Sequence, residues 1–284
     1  MSDDETTAQR PSVLIRQAAT RLETAGLASP MVDARMLLSH VLGVESMALA
    51  TIQEVSPDDA ARFRQLVLRR AQWEPVQYLT GVAFFRHERL RVGAGVLIPR
   101  PETEGLVQLV IDWLAAQNIA QPVIVDLGTG SGAIAKALAH ETPAVVHAVE
   151  NSAEAIAYAR RNLPATVDLR LGDWADAFEE LNGLADVVVA NPPYVPSGSV
   201  LPADIGFEPD GALFAGPDGL ASIKQVVPVA ARLLRAGGLA AFEHDDTQGV
   251  SAPALLAAGG FEAIADHNDL AGRARYVTAL RGIK

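Results

Sequence analysis

The sequence predicts an α/β fold: a seven-stranded, largely parallel sheet with helices on both faces, preceded by a separate bundle of helices. Three observations predict it. Helix-like periodicity dominates up to about Ala71, seven strand-like runs follow one another from Val123 onward with helix-like segments between them, and only the last two runs are joined by a link too short to hold a helix.

The elements follow in order. Val13 to Ala25 places Leu14, Ala18, Leu22 and Ala25 at three- and four-residue spacing, and Met31 to Leu42 repeats the habit with Ala34, Leu37, Leu38 and Val41, so both read as amphipathic helices. Ser56 announces a third: Pro57 takes the first helical position, Asp58 and Asp59 stand where the helix dipole favours negative charge, and Phe63, Leu66, Val67 and Leu68 follow. Residues 1–81 read as a helical bundle without chemistry of its own. From Val82 to Ile98 short segments rich in Arg, Phe and Val are broken by Gly93 and Gly95, the pattern of a hairpin joining two domains. Residues 99–284 then hold the strand-like runs Val123 to Asp126, Val145 to Glu150, Val167 to Leu171, Asp186 to Ala190, Leu239 to Glu243, Phe261 to Asp266 and Arg275 to Leu280. The link from His267 to Ala274 is too short for a helical crossover, so the final pair should be antiparallel.

Composition narrows the function classes. With 284 residues, 49% of them hydrophobic, the chain can bury one large core or two modest ones. No apolar run approaches the roughly 20 residues that cross a bilayer, and Met1 to Glu5 is acidic where a signal peptide would be basic. The expectation is a cytoplasmic protein with a short disordered tip and no membrane partner. The absence of cysteine excludes disulfides, thiolate metal sites and cysteine nucleophiles. A net charge of −11 argues against a broad nucleic-acid groove, and Arg69-Arg70 and Arg160-Arg161 read as solvated helix faces. Glu243-His244-Asp245-Asp246 has no metal-ligand spacing, so no metal is expected.

The first functional signal is the run from Asp126 into Leu127-Gly128-Thr129-Gly130-Ser131-Gly132, followed by a helix with Ala133, Ile134, Ala137 and Leu138. Strand, glycine turn and helix start let backbone N–H groups approach a nucleotide-like ligand. Glu150, ending the next strand, can accept both ribose hydroxyl protons of an adenosine. Asp173 and Trp174 after the third strand offer a polar group and a flat face for adenine. NAD and S-adenosylmethionine fit this pattern equally well.

The most specific signal is Asn191-Pro192-Pro193-Tyr194 after the fourth strand. Asn191 supplies a carbonyl acceptor and an NH₂ donor, Pro192 and Pro193 fix φ and leave rigid carbonyl acceptors, and Tyr194 adds a flat face. Such a set can hold a planar group by its NH₂ hydrogens, with the nitrogen turned toward an electrophile.

At these residues the chain resembles the amino methyltransferases that use S-adenosylmethionine on planar nitrogen. Pro75 to Gly81, Leu97-Ile98-Pro99-Arg100-Pro101-Glu102-Thr103-Glu104, and Asn191 to Pro196 are similar, more narrowly, to the HemK/PrmC release factor glutamine methyltransferases. Phe207-Glu208-Pro209, Ala212-Leu213-Phe214, Gly216 to Gly219, Glu243-His244 and Asp269 to Arg273 extend the resemblance over nearly the whole chain. It implies a Rossmann-like, seven-stranded class I methyltransferase domain, with S-adenosylmethionine held by Gly128, Thr129, Gly130, Ser131, Gly132, Glu150, Asp173, Trp174 and Asn191. It implies a catalytic set of Asn191, Pro192 and Tyr194, gripping the substrate amide together with Pro193, while Arg100 and Glu102 lie beside the pocket. The implied substrate is the glutamine of the Gly-Gly-Gln loop of a peptide chain release factor, which the helical domain helps to dock. Rival readings are a ribosomal-protein glutamine methyltransferase, a methyltransferase of nucleic-acid amino groups, a non-catalytic binding module, and an NAD enzyme, which would leave Asn191 to Tyr194 without a role.

Overall fold

The structure, a computed structural model, describes residues 8–282; the acidic start expected to be a disordered tip lies outside them. The chain forms two compact units. One runs up to Val82 and includes Leu201–Phe207; the other comprises Ala83–Val200 and the chain from Glu208 onward.

The first unit holds α1 (Pro11–Thr24), α2 (Pro30–Leu42), α3 (Pro57–Arg70) and the short α4 (Val76–Thr80). The first three all open on proline, where the missing N–H would have had no helical partner. Ser56 caps α3 as the sequence predicts, its Oγ accepting from the Asp59 N–H at 3.1 Å. Leu14, Leu22, Leu37, Leu38, Phe63 and Val67 meet in one core. One expectation fails here. Arg70 is not on a solvated helix face but buried, its Nε donating to Asp33 Oδ2 at 2.7 Å and its Nη1 to the carbonyls of Trp73 and Glu74. A spacing of 37 residues hides this pair from local sequence reading, and only Arg69, bound to Glu74 at 2.8 Å, stays exposed.

The second unit begins one residue into a hairpin, β1 (Val82–Phe85) and β2 (Glu88–Arg91). It is shorter than the 82–98 expected, because the chain turns at Gly93 to Val96 with Gly95 in left-handed conformation. Phe85 and Leu90 bury against Leu106, Val107 and Val110 of α5 (Thr103–Gln117), a helix absent from the sequence expectations although its apolar spacing marks it. The sheet comprises β3 (Val123–Leu127), β4 (Val145–Glu150), β5 (Asp168–Leu171), β6 (Ala185–Ala190), β7 (Leu234–Glu243), β8 (Phe261–Asn268) and β9 (Ala274–Arg281). The helices between them are α6 (Ala133–Glu141), α7 (Ala153–Asn162), α8 (Ala221–Leu233) and α9 (Ser251–Ala258).

The strand order is β5-β4-β3-β6-β7-β9-β8. The first five are parallel, and β9 runs antiparallel to both β7 and β8, as the short link requires. Alternation puts the two faces into two cores. In β6, Val188 and Ala190 pack with Ile223 and Val226 of α8, while Val187 and Val189 pack with α5 and α6. The chain leaves β3 toward β4 and β5, then returns to place β6 on the other side of β3. That reversal opens a crevice at the carboxyl ends of β3 and β6, where α/β sheets bind ligands. The glycine loop leaves β3 there and Asn191 leaves β6. No described helix is long and apolar enough to cross a membrane.

Candidate active site

The glycine loop is held by its surroundings before any ligand is considered. Gly128, Gly130 and Gly132 all have positive φ, at 73°, 56° and 86°. The N–H groups of Gly128 and Thr129 both donate to the Val149 carbonyl, tying the loop to β4. A Cβ on Gly128 would lie 3.2 Å from the Trp174 ring, so glycine lets the indole lie against the loop. A Cβ on Gly130 would meet no atom within 4 Å, because it would enter open space. Below the loop Asp126 is fully buried, Thr129 Oγ1 donating to its Oδ2 at 2.6 Å. Burial pushes this carboxyl up to about 7, against the hydrogen bonds from Thr129 and the Ala135 backbone.

That open space is a cavity of about 230 Å³. It gathers six of the sequence-predicted residues: Gly128, Gly130, Glu150, Trp174, Asn191 and Pro193. Leu97, Ser152, Pro209 and Ala212 also line it. Glu150 is anchored by two backbone donors, Gly130 N–H to Oε2 and Ser152 N–H to Oε1, both at 2.8 Å. A carboxylate has lone pairs beyond those two, so Glu150 keeps acceptor capacity for a diol.

Other predicted residues sit outside the cavity. Thr129 and Ser131 are buried, and the Ser131 carbonyl accepts from Asn162 Nδ2 at 2.8 Å. Gly132 starts α6, where a Cβ would crowd Leu163 at 3.0 Å. Asp173 is exposed and accepts from the Ala175 N–H at 2.8 Å, closing a turn around Trp174 in sequence. Pro192 is buried. Arg100 donates to Glu208 Oε1 at 2.6 Å, and Glu208 Oε2 also takes the Ile98 N–H, which fixes the segment leading into Pro209 at the cavity wall. Glu102 lines a separate open groove of about 810 Å³ with Asp266 and Tyr276, and its carbonyl accepts from the Tyr276 hydroxyl.

The Asn191 to Tyr194 motif has partners that sequence reading missed. Asn191 Nδ2 donates to Thr103 Oγ1 at 3.1 Å. Tyr194 Oη donates to Glu243 Oε1 at 3.2 Å. Glu243 is 1% exposed, and burial pushes its carboxyl up to about 7, opposed by hydrogen bonds from Thr103 and Tyr194. Burial and the neighbouring Glu243 charge also raise the Tyr194 phenol, so it stays protonated as the donor. The backbone is fixed as well: Val195 exchanges hydrogen bonds with Leu213 and Ala215, and Gln248 Nε2 donates to the Tyr194 carbonyl at 3.2 Å. A Cβ on Gly219 would stand 2.2 Å from that carbonyl, so only glycine fits there. Both side-chain partners come from stretches the sequence singles out, Thr103 from the Arg100 to Glu104 run and Glu243 from Glu243-His244. Their pairing spans 88 and 49 residues.

Comparison with known proteins decides the family. The PrmC N-terminal domain matches residues 14–81, and the methyltransferase small domain matches residues 105–203. Over 275 residues the chain is 45% identical to the release factor glutamine methyltransferase of Streptomyces coelicolor, covering 95% of this chain and 97% of that one. The chain belongs to the release factor glutamine methyltransferase family. The proteins of that name from Mycolicibacterium smegmatis and Mycobacterium leprae are 44% and 41% identical, each over 94% of this chain and 96% and 95% of theirs.

Membership makes this chain an S-adenosylmethionine-dependent methyltransferase. The cavity fits that donor. Bare loop backbone at Gly130, the anchored Glu150 carboxylate and the Trp174 face line one space, and a Cβ at Gly130 would meet no protein atom within 4 Å. Of the readings the glycine loop left open, the NAD enzyme falls away.

Proposed function

We propose that the chain transfers the methyl group of S-adenosylmethionine to the side-chain amide nitrogen of the glutamine in the Gly-Gly-Gln loop of a peptide chain release factor, in the cytoplasm. The observation that carries the reading is the position of Asn191, on the wall of the cavity that also holds Gly130, Glu150 and Trp174. Its Nδ2 is committed to Thr103. Its Oδ1 is then the atom that accepts a hydrogen from the substrate NH₂.

An amide nitrogen is a poor nucleophile because its lone pair is delocalised into the carbonyl. The donor supplies a methyl carbon activated by a sulfonium. Asn191 Oδ1 and the Pro192 carbonyl hold the NH₂ hydrogens, aim the nitrogen, and stabilise the positive charge that grows on it as the N–C bond forms and the S–CH₃ bond breaks, its electron pair staying on sulfur as the neutral thioether leaves. The rigid φ of Pro192 and Pro193 keeps these acceptors in place, and Tyr194 packs on the amide plane. One N–H proton must leave after transfer. In the same reading Gly128 to Gly132 face the methionine end of the donor, Glu150 the ribose, and Asp173 and Trp174 the adenine, while Arg100 and Glu102 support the rim. Residues 1–81 dock the release factor, 82–98 join the parts, and 99–284 carry the chemistry. The match of residues 14–81 to the PrmC N-terminal domain supports that division.

The test is incubation with labelled S-adenosylmethionine and a release factor, followed by peptide mass spectrometry. The expected result is one methyl group on the Gly-Gly-Gln glutamine. With Asn191→Ala, single-turnover transfer should fall by roughly two orders of magnitude, the scale for losing one preorganised polar partner, while calorimetric donor binding is retained. A methyl group found only on a ribosomal protein or on RNA would overturn the substrate assignment.

A further inference from the structure

Amides such as Asn191 can present either end to a substrate, and the two orientations are chemically opposite. With the oxygen facing the substrate the side chain accepts from an NH₂; with the nitrogen facing it, the side chain offers a second donor to a group that has no acceptor at its nitrogen. Something must select between them. In this structure the selector is Thr103, the first residue of α5, which is 4% exposed and accepts from Asn191 Nδ2 at 3.1 Å. A threonine hydroxyl oxygen has two lone pairs, and here one of them takes the Asn191 amide N–H. With Nδ2 held by Thr103 Oγ1, Oδ1 is the end of the Asn191 amide left for the substrate. At the other end of the motif the buried Glu243 takes the Tyr194 hydroxyl on Oε1 at 3.2 Å.

We infer that Thr103 and Glu243 are positioning residues for methyl transfer: Thr103 turns the Asn191 amide so that Oδ1 faces the substrate, and Glu243 holds the Tyr194 ring by its hydroxyl. The inference rests on the reading of Asn191 as the acceptor for the substrate NH₂. Neither residue lines the cavity, so both act through the motif and not by contact with the substrate.

The test compares Thr103→Val, which keeps the shape and removes the hydroxyl, with Thr103→Ser, which keeps the hydroxyl and removes the methyl. Single-turnover transfer to a release factor is measured with saturating S-adenosylmethionine, beside calorimetric binding of the donor and thermal unfolding. Thr103→Val should lower the transfer rate about 10- to 100-fold with donor affinity unchanged, and Thr103→Ser should restore it to within about threefold of the parent. In the double variant Asn191→Ala with Thr103→Val the second change should add almost nothing, because its effect passes through Asn191. A Thr103→Val protein that transfers at the parental rate overturns the inference, as does a Thr103→Ser protein that falls as far as the valine. If valine lowers the unfolding temperature, Thr103→Ala replaces it under the same criteria. Asn191→Ala separates the two levels of argument: if it too transfers at the parental rate, the reading of Asn191 itself has failed, whereas its collapse beside an active Thr103→Val removes only Thr103.

Discussion

Glu243 carries the stability prediction with the most specific signature. Its carboxyl ends β7, is 1% exposed, and is pushed by burial from an ordinary 4.5 up to about 7, the hydrogen bonds from Thr103 and Tyr194 and the charge of Arg275 offsetting only part of that cost. The folded protein therefore binds this proton more tightly than the unfolded chain. Its contribution to stability is fully present below about pH 4.5 and is lost as the pH rises through about 7. The difference, at about 1.4 kcal/mol per pH unit, comes to about 3 kcal/mol. Glu243→Gln keeps a carbonyl acceptor for Tyr194 and cannot ionise. The variant and the parent should accordingly differ by a constant amount below about pH 4, with the variant gaining about 3 kcal/mol relative to the parent by pH 9, most of it between about pH 5 and 7. Asp126 is raised to about 7 in both proteins and cancels in the comparison. Urea unfolding of the two proteins at pH 5, 7 and 9 measures it. A difference that does not change across that range would show that the Glu243 carboxyl is already ionised without strain, and the argument from burial would fall.

Two further outcomes are expected. Gly130→Val should weaken S-adenosylmethionine binding at least about tenfold by calorimetry, because the side chain enters the cavity without touching protein; its left-handed φ of 56° adds about 1–2 kcal/mol of backbone strain, and unchanged affinity would remove the loop from the donor site. A chain beginning at Gln72 should still bind the donor, since the cores of the sheet domain are made by residues beyond that point, but should lose most single-turnover activity on an intact release factor. Equal rates for the two forms would sink the docking role of the helices.

The fold was legible because its signals are local. Proline followed by acidic residues marks the start of α3, strand-like runs alternating with helix-like ones mark the sheet, and the brevity of the link from His267 to Ala274 makes β9 antiparallel. The chemistry was legible for the same reason, since Gly128 to Gly132 and Asn191 to Tyr194 are contiguous runs. What stayed hidden depends on pairing between distant segments. Arg70 looks like a surface arginine until Asp33 is placed beside it. Thr103 looks like one more letter of the Arg100 to Glu104 run until Asn191 donates to it. Glu243-His244 reads only as a strand end without metal-ligand spacing, and nothing local shows that both residues are buried, His244 Nε2 lying 2.8 Å from Asp266 Oδ1.

The two carboxyls raised to about 7, Asp126 and Glu243, also share a location. Each lies at or near the carboxyl end of a central parallel strand, each is fully or almost fully buried, and each has one oxygen without a hydrogen bond of good geometry, Oδ1 and Oε2 respectively. An apolar residue at either place would relieve a desolvation cost of several kcal/mol per ion. A sheet selected for stability alone would carry one. Instead each carboxyl accepts from a hydroxyl that belongs to a site loop, Thr129 under the glycine turn and Tyr194 behind Asn191. The glycine loop has two backbone bonds to Val149 and buries only the small Thr129 and Ser131 side chains, and the proline-rich motif offers no N–H at Pro192 or Pro193, so neither loop has the full ladder or the large apolar contacts that hold the rest of the sheet. A strong buried acceptor beneath each loop is what remains available to hold it, and local departure from the stability rules is expected where function sets the geometry.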